Sequence, residues 1–272
     1  YLYKHTQSSA VMREIGRLRE IAFRAVGEGT GKRRDTDKYD NHYFHLVLWD
    51  KDELEIVGAY RFASAKMLHE SIGENALYSQ SLFEYHDAFA PYFDQGLELG
   101  RSFVQPKYWG RRSLEYLWQG IGAFLIKNPQ YRYLFGPVSL SDSLPVPAKE
   151  MLVFFYQNHF ATKHVLATSF NSYQFTDERQ HQLHQLFNGD DYAENFKILK
   201  RTLSNMGVSV PTLFKQYGEL CDNNGVQFLD FGIDAEFGDC IDGLVLVDIH
   251  QLKPIKYQKY LAGHLPENKI AS

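Results

Sequence analysis

Across residues 9–26 the apolar positions Val11, Ile15, Leu18, Ile21, Ala22 and Ala25 recur at close to helical spacing, with Ser8 or Ser9 as cap and Gly27 as stop. A polar, charged loop (27–41) then leads to two strands, 43–49 and 54–62, on either side of a turn at 50–52. A short helix over 63–71 and an aromatic-rich stretch, 77–93, come next. Residues 96–104 read as a strand with Leu97, Leu99 and Phe103 at alternating or near-alternating positions. Gly110 opens a helix over 111–126, which Asn128 and Pro129 stop. The pattern predicts a strand at 131–138, a Pro- and Ser-rich loop, a helix at 149–159 and a strand at 165–175. From Gly189 it predicts helices at 192–205 and 211–222, strands at 226–231 and 243–248, and a short final helix.

Helices and strands mix without regular βαβ alternation, which argues against a doubly wound parallel sheet. The expected class is α+β, a twisted mixed sheet flanked by helices on both faces. No repeat, low-complexity tract or polar linker divides the chain. A single domain over 1–272 is expected, with a core at about 9–175 and a C-terminal extension at about 189–265 packed on it.

Composition narrows the function classes. The chain has 272 residues, 44% hydrophobic and 15% aromatic, enough for one large core. A net charge of −4 argues against bulk nucleic-acid binding, while a local basic patch stays open. Two cysteines, Cys221 and Cys240, make no disulfide framework and suit a reducing, cytoplasmic setting. No apolar run reaches the roughly 18–20 residues of a membrane helix, and no leader-like segment opens the sequence.

The segment 97–126, LELGRSFVQPKYWGRRSLEYLWQGIGAFLI, runs from strand through loop to helix. A helix N-terminus has unpaired N–H groups and a dipole that favours anions, and Lys107, Arg111 and Arg112 add charge there. A solvated basic turn is the plain alternative.

This segment resembles the GNAT acyltransferase superfamily, whose strand-loop-helix reads V-x-P-x-Y-R-G-x-G-x-G/A. Val104, Pro106, Tyr108 and Gly110 match, whereas Trp109, Arg112 and Leu114 replace residues that help wrap the coenzyme A pyrophosphate. Further stretches are similar to acyl-homoserine-lactone synthases and ornithine-lipid type N-acyltransferases. Glu98 and Arg101 fit their E-x-x-R strand, and Asp35, Asp37 and Asp40 their acidic loop. Val57, Gly58, Tyr60 and Arg61 fit V-G-x-Y-R, and Leu117, Trp118, Gly120 and Ile121 fit L-W-x-G-I. Phe214–Lys215–Gln216–Tyr217 and Asp234–Ala235–Glu236–Phe237 resemble C-terminal elements.

The resemblance implies transfer of a long acyl chain, plain or 3-hydroxylated, from acyl carrier protein to the α-amine of an amino acid. The product would be an N-acyl amino acid or lyso-aminolipid. No permanently bound cofactor or metal is implied; the donor is a phosphopantetheine thioester on acyl carrier protein, with acyl-coenzyme A the alternative. Glu98 would accept the amine proton, directly or through water, with Arg101 as its active-site partner. Asp35, Asp37, Asp40 and Arg61 would hold the acceptor, or Arg61 would simply pair with the acidic loop. Phe103, Val104, Gln105, Gly110, Arg111, Arg112 and Ser113 would receive the acyl donor, with backbone N–H groups near Phe103 and Val104 at the oxyanion. Lys107, Arg111, Arg112, Lys127 and Arg132 would dock the acidic carrier protein. A lipid-like product would also bring a peripheral contact with the inner membrane.

Glu98 and Arg101 are three residues apart, so a regular strand turns them to opposite faces unless a bulge at Gly100 intervenes. The run from Gly27 to Lys32 is one residue short of a phosphate loop, has Arg33 where Ser or Thr belongs, and follows a helix. His45 and Asp50 have the spacing of glycerolipid O-acyltransferases but lie on opposite faces of a predicted strand. His181 and His184 lack a third metal ligand. The competing functions are a coenzyme A-dependent short-chain N-acetyltransferase, a lysophospholipid O-acyltransferase and a non-catalytic acyl- or carrier-binding module.

Overall fold

The computed structural model describes residues 1–4, 9–222 and 224–264. Its strands are β1 (Leu2–Lys4), β2 (Phe44–Asp50), β3 (Glu55–Ser64), β4 (Phe83–Tyr85), β5 (Gly96–Val104), β6 (Tyr133–Leu140), β7 (Ala167–Ser169), β8 (Val226–Asp234) and β9 (Cys240–Asp248). Its helices are α1 (Ala10–Arg24), α2 (Ala65–Ile72), α3 (Ala90–Asp94), α4 (Ser113–Lys127), α5 (Val146–His159), α6 (Asp177–Leu186), α7 (Tyr192–Asn205), α8 (Thr212–Gly218) and α9 (Pro254–Tyr260). Ser9 caps α1 by accepting from the N–H groups of Val11 and Met12; Ser8 lies outside the described residues.

Seven strands form a mixed sheet in the order β1-β2-β3-β5-β6-β9-β8, and β4 pairs separately with β7. Among the paired strands β5 and β6 alone run parallel. Helix α1 covers one face through Met12, Ile15, Leu18 and Phe23, which pack on Val47, Ala59 and Phe103. On the other face α4 and α5 bury Leu117, Trp118, Ile121, Leu152 and Phe155 against Tyr60, Leu99 and Val138. The α+β, helix-sheet-helix layering expected from the sequence is therefore present.

Three expectations change. The C-terminal strands complete the central sheet rather than packing on a finished core: β9 pairs with β6 from Leu140↔Ile241 to Tyr133↔Asp248. The strand expected over 165–175 shortens to Ala167–Ser169, because the chain then turns on Asn171 and Ser172 to bridge to Gly232. Helix α6 was not anticipated; DERQHQLHQL buries only Leu183, so its apolar signal is too thin to read.

Strands β5 and β6 pair only over Gly96–Glu98 and Tyr133–Phe135, and then part. At the fork a Cβ on Gly136 would lie 2.0 Å from the Leu99 carbonyl oxygen, so only glycine fits. Pro137 follows, with no N–H to offer β5, at the point where β6 has lost that neighbour.

Candidate active site

The fork opens a cavity of about 720 Å³ that crosses the sheet between β5 and β6. On the α4 side its walls are apolar, built from Leu99, Val104, Leu114, Leu144, Leu213 and Tyr217. On the α1 side Glu28, Tyr78, Arg101, Ser139 and Asp242 bring polar and charged groups among Ala22, Phe23, Phe103 and Phe237. The N-terminal approach to α4, from Tyr108 to Arg111, forms one rim. An apolar bore thus joins a charged chamber beside a helix N-terminus.

The pairing of β3 with β5 slips between Ala59 and Arg61, which face Phe103 and Gly100. The extra residue is accommodated by Arg101, whose φ is +47°. The bulge turns Arg101 to the face that Glu98 uses, one residue beyond the expected position at Gly100. Both side chains then meet Tyr78. Arg101 is sandwiched between the Tyr78 and Phe237 rings, 4.6 and 4.5 Å from their centroids. Glu98, 1% exposed, accepts from the N–H groups of Tyr78 (3.1 Å) and Ser79 (2.7 Å) and from the Tyr43 hydroxyl. Arg101 lines the cavity and Glu98 stands behind its Tyr78 wall.

The acidic loop forms a buried lattice with three arginines. Asp40 takes two bonds from Arg19 (3.0 and 2.9 Å) and one from Arg61 (2.9 Å). Asp37 pairs with Arg61 at 2.6 Å and, by accepting from the Tyr39 and Asp40 N–H groups, caps the turn. Asp35 lies 2.8 Å from Arg19 and 3.4 Å from Arg101. Burial works against the Asp40 charge, but Arg19 and Arg61 outweigh it and hold that carboxyl well below the usual range. Arg61 is 1% exposed and stays charged despite its burial, through Asp37 and Asp40. Its Nε and Nη2 make no hydrogen bond and lie among the Tyr39, Tyr43 and Tyr78 rings. Asp35, Asp37, Asp40 and Arg61 therefore brace Arg101 from behind rather than line the cavity. Arg19 was missed in sequence; it sits four residues after Ile15 and three before Ala22, a charge within the apolar stripe of α1.

Glu28, Tyr78, Ser139 and Asp242 were missed as well. Gly27 ends α1 in the left-handed conformation (φ +79°), and the Glu28 N–H closes back on the Phe23 carbonyl at 2.9 Å. This cap aims Glu28 into the fork, where the Ser139 hydroxyl donates to Glu28 Oε2 at 3.0 Å. Burial pushes the Glu28 carboxyl up to about 7, with Ser139 and Arg101 opposing. Asp242 is 5% exposed; burial, then Asp234 and Glu28, push its carboxyl well above the usual range. The signal for Glu28 in the sequence is an acid between two glycines just past the end of α1.

Around α4 the donor-binding expectations divide. Phe103, Val104, Gly110, Arg111 and Ser113 line the cavity. Gln105 turns away, its amide donating to the Ile56 carbonyl. Arg112 is also outside, 65% exposed and paired with Glu115 in the next turn. The α4 N-cap offers no side-chain hydrogen bond, which leaves first-turn N–H groups open toward the rim. Lys127 ends α4, roughly 20 Å from its first turn, and Arg132 is held by Asp248 at 2.7 Å. These two do not extend the basic patch of Lys107, Arg111 and Arg112.

His45 is buried with Nε2 3.2 Å from the Asp40 carbonyl, and burial lowers it to about 4. Among the described residues no cluster could hold a metal, and no helix is long and apolar enough to cross a membrane.

The stretches singled out in sequence converge on the fork. Tyr60 meets the Tyr217 hydroxyl at 3.3 Å, Trp118 packs edge-on to both rings, and Asp234 accepts from the Tyr78 hydroxyl at 3.1 Å. Residues 18–119 match the acetyltransferase (GNAT) domain family. A glycine N(alpha)-acyltransferase of Bacteroides thetaiotaomicron is 32% identical over 97% of this chain and 82% of its own length. An L-ornithine N(alpha)-acyltransferase of Agrobacterium fabrum is 33% identical over 41% of this chain and 39% of its own. Among solved structures, the AHL synthase LasI aligns over 98% of this chain and 96% of its own, with TM-score 0.43 and 11% identity. With the match running almost end to end, the chain belongs to the GNAT-type N(alpha)-acyltransferases and is an acyltransferase.

Proposed function

We propose that this enzyme moves a long acyl chain, plain or 3-hydroxylated, from the phosphopantetheine thioester of acyl carrier protein to the α-amine of an amino acid, with glycine the first candidate. The observation that carries this reading is the continuous cavity: helix N-terminus at the rim, apolar bore on one side of the sheet, charged chamber on the other. The acyl chain occupies the bore. The acceptor carboxylate meets Arg101, whose charge the Asp35–Asp37–Asp40 lattice, with Arg19 and Arg61, holds in place. Glu98 acts as a positioning residue by anchoring Tyr78. Amino-acid size enters through the relatives, since a relative matched over 97% of this chain acts, by name, on glycine.

A carrier-protein donor is supported by the rim. Phosphopantetheine brings one phosphodiester, whereas coenzyme A brings further phosphates. Of the three basic residues near the rim, Arg111 alone lines the cavity, while Lys107 pairs with Glu55 and Arg112 with Glu115. Gly110 alone remains of the three glycine positions of the resembled cradle. Parallel assays with one acyl group on carrier protein and on coenzyme A should give the higher kcat/KM with the carrier. Efficient acetyl-coenzyme A turnover with an untouched carrier thioester refutes the donor assignment.

A further inference from the structure

The cavity holds a carboxylate with no structural partner beyond one hydroxyl, and its placement assigns it chemical work. We propose that Glu28 is the catalytic base that accepts the proton of the acceptor ammonium. This rests on the acyl-transfer reading above and names the group that initiates it.

Geometry carries the argument. An amine attacks a thioester only when neutral, so a free amino acid must lose a proton at the site. Among the described residues the cavity wall presents two carboxyls, Glu28 and Asp242. Glu98 is excluded by place, because Tyr43, Tyr78 and Ser79 occupy its oxygens behind the wall. Asp242 is buried on β9 beside Cys240, Asp234 and Glu28, where burial and the two neighbouring acids push its carboxyl well above the usual range and disfavour its charged form. Glu28 is fixed by the α1 cap and by Ser139 of β6, across the fork from β5. Arg101 on β5 faces the same chamber, so one amino acid can place its carboxylate on Arg101 and its nitrogen toward Glu28. The groups that face Glu28 are Arg101 from β5, Ser139 from β6, and Asp242 and Cys240 from β9, with Tyr78, ahead of β4, on the same cavity wall and Asp234 of β8 behind Asp242. A carboxyl that burial raises to about 7 can ionise near neutral pH and is basic enough to take the proton.

The step balances. Glu28 takes one proton from the ammonium, and the freed lone pair forms the C–N bond at the thioester carbonyl. The tetrahedral intermediate collapses by breaking the C–S bond, and the second amine proton goes to the departing thiolate. The products are the amide and the free carrier thiol, and Glu28 returns its proton to solvent.

The test is kcat/KM for the acceptor against pH, with saturating thioester donor and the full chain. Wild type should show an acidic limb with its midpoint near 7. Glu28→Gln should lose that limb and fall by about 10²–10⁴-fold at neutral pH. Ser139→Ala removes a hydrogen bond that favours the carboxylate, so its limb should move to higher pH. That second variant decides the matter should Glu28→Gln fail to fold. A Glu28→Gln enzyme that keeps the limb, or only raises the acceptor KM, overturns the proposal, as does an unmoved limb in Ser139→Ala. A wild type that forms no amide from any thioester donor overturns the acyl-transfer reading, and this inference with it.

Discussion

At the scale of single residues, the site depends on charges that are buried but compensated. Arg19, Arg61 and Arg101 face Asp35, Asp37 and Asp40, so the lattice is neutral in sum. Removing one charge leaves its partners buried and unpaired. Asp40→Asn should therefore cost about 3 kcal/mol of stability, read by urea denaturation; a loss below measurement would mean the lattice is not a unit. The pH dependence has a definite sign. The Asp40 carboxyl is depressed on folding, so its contribution is present above the unfolded value, about 3.9, and is lost as acid brings the pH down through the folded one. Two further variants separate the roles of the E-x-x-R pair. Arg101→Ala should raise the acceptor KM by about tenfold or more, as a lost charge-assisted contact predicts. Glu98→Gln should weaken the Tyr78 wall and lower kcat/KM without moving the acidic limb. A limb that disappears in Glu98→Gln would make Glu98 the base.

At the scale of elements, a fork and a bulge build the site, and their legibility in sequence differs. The strand 96–104 and the helix 192–205 were readable to the residue, because strong periodicity and turn residues agree there. Gly136–Pro137 carries a signal of the fork in the sequence itself: such a pair does not belong inside a fully bonded central strand. The bulge at Arg101 was open in sequence, since pairing partners and not the strand itself decide it. Glu28 is legible in sequence only as an acid between two glycines, without a role. Its role comes from Ser139, Arg101 and Asp242, which lie far away in the chain and meet only in the fold. Gly136→Ala drives a Cβ into the Leu99 carbonyl, so it should cost about 2 kcal/mol or more and depress activity. Unchanged stability in that variant would mean the fork has room that the geometry denies.

At the scale of the whole molecule, the C-terminal third contributes to both the sheet and the site. Strand β9 brings Asp242 to the cavity, β8 brings Asp234 to the Tyr78 hydroxyl, and α8 brings Leu213 and Tyr217 to the bore. Leu213→Trp should shorten the accepted chain, lowering kcat/KM for a long acyl donor by about tenfold while sparing a short one; equal losses for both would place the chain elsewhere. A raised carboxyl also leaves a mark on global stability. Glu28 binds its proton more tightly folded than unfolded, so its contribution is fully present below about 4.3 and is lost as the pH rises through about 7. Glu28→Gln should be the more stable protein above that pH, by about 1 kcal/mol or more, as thermal melts in parallel with wild type will show. The most direct test of the whole account is a mass measurement. The purified chain is incubated with long-chain acyl carrier protein and isotopically labelled glycine. Labelled N-acylglycine should form in one-to-one yield with free carrier thiol; carrier that binds and keeps its thioester across glycine, ornithine and other amino acids would overturn the proposed function.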